Sequence, residues 1–265
     1  MPPAMMNRHA DSVAVVTGGA QGVGLAIARQ LVNEGCRRVV LADMNAEKAE
    51  ASAKELRAND CNAKAIAVNL TDVDACLALI DSAVREFGNV NVLVNAAGLT
   101  ARGTLTDTSV ELWDRMFNTN ARAPFLLMQG FVKHRLTQGG GGAILNIVSN
   151  CAHCGQSYLA PYSASKGALA TLTKNVANAY KFNRIRCNAI LPGWLDTPGE
   201  DATQRKHHGA TDGWLERAEA AQPMKQLAKP HQLACLASFM LSPSAGVMTG
   251  ALVDYDQQIP GSYPE

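Results

Sequence analysis

The stretch Ser12-Val-Ala-Val-Val-Thr-Gly-Gly-Ala-Gln-Gly-Val-Gly-Leu-Ala-Ile-Ala-Arg29 decides the fold. Four apolar residues, Val13 to Val16, run straight into a loop bearing Gly18, Gly22 and Gly24, and an amphipathic helical pattern follows. Glycines let a backbone turn sharply and approach a bound group closely. A helix that opens directly after them offers unpaired amide N–H groups and the positive end of its dipole to an anion. Glycines alone would mean little; strand, loop and helix in that order are what the mechanism needs. Gln21 and Val23 lie in the same turn.

The next strand ends at Leu41-Ala-Asp43. Asp43 stands 19 positions beyond Gly24, close to the offset of about 20 expected of an acid that binds both adenosine ribose hydroxyls. Met44 and Asn45 follow it, so no cation waits there for a 2′-phosphate, and NAD is expected over NADP. Working outward, short apolar runs alternate with amphipathic ones. Strands are expected at 12–16, 38–42, 65–68, 90–94, 143–148, 186–191 and 252–254, and helices at 23–34, 46–58, 73–87, 109–136, 162–180 and 232–241. Most of the strand runs are apolar throughout, as in strands buried on both faces. The expectation is an α/β fold: one doubly wound, Rossmann-type parallel sheet of about seven strands with helices on both faces. The glycine turn at 139–142 is too short for a domain linker, so 1–265 reads as one domain. The polar stretch at 195–223 breaks the rhythm. It reads as a loop serving as a lid over the sheet's carboxyl edge, where ligands of such sheets bind.

Composition narrows the class. Hydrophobic residues make up 47% of the 265, charged residues 18%, and the net charge is +1 without a basic run, which excludes nucleic acid and anionic membrane as partners. Residues 1–11 lack the apolar core of a secretory signal, and the longest apolar runs are far too short to span a bilayer. Seven scattered cysteines suggest free thiols and a cytoplasmic location. Cys151-Ala-His153-Cys154 has metal-knuckle spacing, but no second Cys-x-x-Cys exists to complete a zinc site, so no metal is expected.

Tyr162-Ser-Ala-Ser-Lys166 puts a phenol and an ammonium one helical turn apart on one face. The ammonium is expected to draw the phenol's pKa down toward neutrality, where it could exchange a proton with an alcohol.

With these residues together, the chain resembles the compact members of the short-chain dehydrogenase/reductase family over nearly its whole length. Thr17 to Gly24 matches the family's TGxxxGxG loop, and Asn95-Ala96-Ala97-Gly98 matches its motif after the fourth strand. Asn120, Ser149, Tyr162 and Lys166 match its catalytic set, and Pro192-Gly193, Leu195 and Thr197 its nicotinamide turn. The resemblance implies that Tyr162 is the acid/base and that Lys166 holds the nicotinamide ribose. Ser149 would bind the substrate oxygen, Asn120 would anchor a water beside Lys166, and Thr197 would hold the carboxamide. It also implies that the segment between Ser149 and Tyr162 lines the substrate cleft, which makes His153 and Gln156, with Trp194, candidate contacts. Asn69-Leu70 stands where the family often has Asp facing adenine; Asn69 is expected to accept there through its amide oxygen. A tetramer or dimer is implied through the helical stretches 109–136 and 162–180.

The low aromatic content of 5% and the polar lid favour a small hydroxylated substrate: a polyol, sugar or sugar acid. The C-terminal residues 254–263 also resemble those of sugar-linked members. If Lys206, His207 or His208 turns inward, a substrate carboxylate is expected. The alternatives are a 3-oxoacyl thioester or steroid reductase, against which Asp43 argues, and a non-catalytic NAD sensor, against which the intact set of four argues.

Overall fold

A computed structural model describes residues 7–262. Seven strands, β1 (Val13–Thr17), β2 (Arg38–Asp43), β3 (Asn62–Ala67), β4 (Val92–Asn95), β5 (Gly142–Ile147), β6 (Ile185–Pro192) and β7 (Leu252–Tyr255), form one parallel sheet in the order β3-β2-β1-β4-β5-β6-β7. The order reverses at β1, which pairs with both β2 and β4. At such a switch point the loops leaving the two strands part, and a crevice opens at their carboxyl ends.

Alternation along each strand feeds two cores. Ala14 and Val16 face one side and pack with α1 (Gly22–Asn33), α2 (Ala46–Arg57) and α9 (Pro230–Leu241). Val13 and Val15 face the other, with α3 (Val73–Phe87), α5 (Ala123–Gln138) and α6 (Ala160–Tyr180). Both faces being covered explains why the strands carry so little polarity. The single helical stretch expected at 109–136 is interrupted: α4 (Val110–Phe117) passes through one π-turn, Asn118–Arg122, into α5. Such a turn inserts an extra residue and re-aims the side chains it carries, here including Asn120.

The stretch expected as a loop lid is mostly helical, with α7 (Pro198–His208) and α8 (Trp214–Ala220). No residue of α7 is buried, which is why no apolar stripe announced it. End effects define it instead. Thr197 Oγ1 accepts from Glu200 N, acids fill the first turn, Arg205 to His208 fill the last, and Gly209 closes it in the left-handed region.

No helix among the described residues is long and apolar enough to cross a membrane. The residues 1–6 and 263–265, which include the ends of both terminal segments read from sequence, lie outside the described residues.

Candidate active site

The glycine loop closes the carboxyl end of β1 against β4. Thr17 Oγ1 donates to Val94 O at 3.3 Å and accepts from Ala96 N and Ala97 N at 3.2 and 3.3 Å. A Cβ on Gly24 would stand 2.3 Å from Gly18 O, so the start of α1 sits directly on the loop. Gly22, in the left-handed region, faces open space, its nearest neighbour being the Thr197 side chain 4.0 Å from where a Cβ would be. Gln21 begins α1 without a side-chain cap, Val23 follows in the first turn, and no acid occupies that turn. The result is a slot floored by unshared amides, and it fits a pyrophosphate.

At the ribose end, Asp43 Oδ2 accepts from Ala20 N at 3.1 Å and Oδ1 from Asn45 N at 3.0 Å. Each oxygen keeps a further lone pair for a hydroxyl. Met44 is exposed. Lys48 Nζ, unremarked in the sequence reading, reaches Gln21 Oε1 at 3.4 Å. Asn69 departs from expectation: its Oδ1 already accepts from Thr71 N and Oγ1 at 3.0 and 2.9 Å, so the amide has its NH2 to offer outward, not its oxygen. Leu70 packs against the core. Asn95 is buried and donates to Asn146 Oδ1 at 2.8 Å, so its side chain faces into the sheet. Ala96 and Gly98 carry the bare backbone past the cleft; a Cβ on Gly98 would lie 3.4 Å from Lys166 Nζ and 3.6 Å from Asn120 Oδ1.

Four further side chains converge beside this slot. Fully buried Asn120 clamps the chain after β4: its Oδ1 accepts from Leu99 N at 2.8 Å, while its Nδ2 donates to Leu99 O at 2.9 Å and Ser165 Oγ at 3.0 Å. Ser149 follows β5, and its Oγ accepts from Cys151 N at 3.2 Å. Tyr162 and Lys166 lie one turn apart on α6, the ammonium 5.8 Å from the ring centroid. Lys166 Nζ donates to Ile147 O at 2.8 Å.

The electrostatics correct one expectation. Burial pushes the Tyr162 phenol up to about 12, and the neighbouring Ser149 and Thr100 hydroxyls, which pull it down, do not overcome this. Burial also lowers the Lys166 ammonium to about 8. One of the three ammonium N–H groups is committed to the Ile147 carbonyl, the ammonium stands 5.8 Å from the ring centroid, and burial dominates the phenol.

On the substrate side, His153 Nε2 meets Asp254 Oδ1 at 2.7 Å at the rim, and Gln156 is exposed. Trp194 Nε1 donates to Glu200 Oε1 at 2.8 Å, and its ring stacks on Trp214 at 6.2 Å. The segment 195–223 leaves and rejoins the body at one place: Ala228 N donates to Trp194 O and Asp196 N to Ala228 O, both at 3.0 Å, beside the Leu195–Ala228 bridge. Lys229 Nζ reaches Asp196 Oδ2 at 2.8 Å and Glu219 Oε1 at 2.5 Å, locking that base. A cavity of about 390 Å³ between α7 and α8 is lined by Thr197, Asp201, Arg205 and Trp214 among others, and holds none of the four converging side chains.

Three neighbours of the site escaped the sequence reading. The Thr100 hydroxyl pulls the Tyr162 phenol down. Glu200 bears on it through its charge. Asp256 receives Asn150 Nδ2 and lies where any side chain on Gly193 would be, while Gly193 N, just after Pro192, donates to Tyr255 O at 3.0 Å. Glu200 alone had a signal, three residues after a threonine at a helix start. The seven cysteines are free. No cluster of three metal-binding side chains occurs among the described residues.

The family model for short chain dehydrogenases matches residues 12–208, and the chain belongs to that family. Among its relatives, cis-4-hydroxycyclohexanecarboxylate dehydrogenase of Sinomonas cyclohexanicum is 36% identical over 256 residues, 95% of this chain and 98% of that protein. The 7alpha-hydroxysteroid dehydrogenase of Bacteroides fragilis is 32% identical, covering 95% of both chains. A variant of actinorhodin polyketide ketoreductase, solved with NADPH, superposes with a TM-score of 0.88 at 30% identity, over 97% of this chain and all of that one. The chain is an oxidoreductase of alcohol or ketone groups.

Proposed function

We propose that this enzyme is an NAD-dependent dehydrogenase of a small, polar secondary alcohol, with Tyr162 as its acid/base. The observation that carries the reading is the meeting of Asn120, Ser149, Tyr162 and Lys166 beside a glycine-floored slot. Bound NAD would take the hydride from the carbinol carbon. The chain's own groups do the rest. The Ser149 hydroxyl orients the substrate oxygen, and Tyr162 accepts its proton. Lys166, tethered to Ile147 O, holds the nicotinamide ribose, and Asn120 fixes the segment that borders both. Thr197, first residue before the lid helix, holds the carboxamide.

Asp43 supports NAD, since a fixed carboxylate repels a 2′-phosphate. The NADPH-bound ketoreductase is a relative that argues the other way. For the substrate, a rim of His153, Gln156, Trp194 and Glu200 favours hydroxyl-bearing compounds over a steroid or acyl thioester. Polyols, sugars and sugar acids remain in the proposed class, and the cyclohexane-carboxylate relative adds ring alcohols to it. We read 1–265 as a single domain with a lid at about 195–223, working in the cytoplasm. A homotetramer or dimer is supported by exposed Val110 and Trp113 on α4 and Phe125 on α5.

The test is Tyr162→Phe. It removes the transferable proton and little else, so NADH binding persists while alcohol oxidation falls about a thousandfold, within the range for loss of a general acid/base. A variant that keeps most of its turnover rules the assignment out.

A further inference from the structure

The segment after β4 ends in a cation that the chemistry above does not use. It is pinned at both ends, at Leu99 by Asn120 and at Gly103, whose N donates to Tyr158 O at 2.9 Å while its O accepts from Ala160 N at 3.0 Å. The Thr100 hydroxyl pulls the Tyr162 phenol down, so this segment borders it. Arg102 is two residues on, at most about 7 Å of chain away. Its half-buried guanidinium lies 5.3 Å from the centre of the Tyr158 ring. Its Nε and Nη2 both point at one acceptor, His208 Nε2, at 3.2 and 2.9 Å, and His208 stands edge-on to Tyr158 at 5.8 Å. The three residues come from three separate borders of the cleft: the chain after β4, the approach to α6 and the end of the lid helix.

Two features make this arrangement unusual for a structural contact. The planar fork of an arginine matches the two oxygens of a carboxylate, yet here both arms converge on a single ring nitrogen. No carboxylate among the described residues forms an ion pair with it. More positive charge gathers beside it. His207 is lowered first by desolvation and then by the charges of Lys206, Arg102 and His208. Basic residues in the last turn of α7 suit the helix dipole, but that does not account for Arg102, which arrives from another segment. The acids on the same helix, Glu200 and Asp201, sit a full two turns back, roughly 10–12 Å along the axis, and are engaged by Trp194 and Gln204 and by Trp214 and Arg205.

We propose that Arg102, with His208 and Tyr158, forms a carboxylate-binding subsite, and that the substrate is a hydroxy-carboxylate: a compact molecule with its secondary alcohol at Tyr162 and its carboxylate on the Arg102 fork. This rests on the dehydrogenase reading and names its substrate class. In the complex the carboxylate replaces His208 Nε2 as the acceptor of the two N–H groups, Tyr158 shields the pair from water, and the lid helix closes on the substrate through His208. The opposite ends of one lid helix then serve opposite ends of the ligand, Thr197 at the cofactor and His208 at the carboxylate.

The experiment compares hydroxycyclohexanecarboxylates with their primary carboxamides, which have the same shape and no charge, using NAD. In parallel, cyclohexanecarboxylate, which cannot react, is titrated calorimetrically into the enzyme–NADH complex. The native enzyme should prefer the acids by about a hundredfold in kcat/KM, the size of one lost charge-assisted pair. Arg102→Gln should bring that ratio close to one and abolish binding of cyclohexanecarboxylate, and Arg102→Lys should restore part of both. An unfolding midpoint near the native value checks that each variant folds. A native ratio near one, or a ratio unchanged in Arg102→Gln, overturns the subsite. If neutral alcohols are oxidised while the acids neither react nor bind, the subsite falls and the dehydrogenase stands. If nothing is oxidised yet cyclohexanecarboxylate binds through Arg102, the dehydrogenase reading falls and the subsite stands.

Discussion

The two halves of the cleft are held in different ways. On the cofactor side, backbone lies on backbone: Thr17 ties β1 to β4, and a Cβ on Gly24 would collide with Gly18 O. On the side of α7, the helix itself buries nothing, and beyond the Leu195–Ala228 bridge at its base the rim rests on exposed or half-exposed pairs: His153 with Asp254, Arg205 with Asp201, Lys229 with Asp196 and Glu219. Exposed pairs contribute only about 0–1 kcal/mol each. The glycine loop is therefore held by close packing, whereas α7 is an element of low local stability, as the proposed lid would need to be. A family that keeps one cofactor chemistry while its members carry names as different as a hydroxycyclohexanecarboxylate dehydrogenase and a polyketide ketoreductase fits that division.

Glycine substitutions break or sharpen the contrast most strongly. Gly24→Ala forces backbone apart, and we expect NADH affinity to fall at least about a hundredfold, the equivalent of ~3 kcal/mol. Gly199→Ala, in the first turn of α7, meets only the Thr197 hydroxyl at 3.9 Å. Alanine is the better helix former there, so the lid should gain about 0.5–1 kcal/mol. NADH titration and thermal unfolding of the pair check both signs. Equal losses in the two would erase the distinction between a rigid and a marginal half.

The next effect concerns the ribose pocket. Asp43→Ala combined with Met44→Arg removes a repulsive carboxylate and supplies a cation, and the ratio of kcat/KM for NAD over NADP should drop by about a hundredfold. Comparable native activity with both cofactors would show that Lys48, close to Gln21, outweighs Asp43.

A smaller effect separates catalysis from stability. Burial lowers Lys166 from the ordinary 10.5 to about 8, so the folded protein holds this proton less tightly than the unfolded chain. Its charge costs stability in full below about pH 8, and that cost fades as the pH approaches 10.5. Lys166→Met should therefore raise the unfolding midpoint by a few degrees at pH 7, the gain vanishing toward pH 10.5, while dehydrogenase activity is lost. A variant destabilised at pH 7 would mean that the bond to Ile147 O outweighs the burial of charge.

Much of the cofactor half could be read from sequence because its constraints are local: a glycine with no room for a Cβ, an acid at a strand end, a strand buried on both faces. The Tyr162–Lys166 spacing was legible for the same reason, as was the succession of strands and helices. Three things were not. The π-turn at Asn120 depends on how α4 and α5 meet other elements. Helix α7 has no apolar period and is specified by its ends alone. The pairings of the cleft, Thr100 with Tyr162, Arg102 with His208 and Asp256 with Asn150, join positions far apart in the chain, and no short pattern carries that. The raised pKa of Tyr162 was not legible for a physical reason too: one-turn spacing brings the lysine near, but the phenol's own burial outweighs the hydroxyls that pull it down.

For Tyr162 to serve as the proposed base, its phenol must ionise more readily once the positive nicotinamide joins Lys166 beside it. The direct test is the titration of this one phenol, taken as the ultraviolet difference between the native enzyme and Tyr162→Phe, without ligand and with saturating NAD. The phenol should titrate near 12 without NAD. With NAD it should move down by several units, to where kcat for alcohol oxidation rises with pH. An identical midpoint in both forms, or a midpoint already near neutrality without cofactor, would contradict the account.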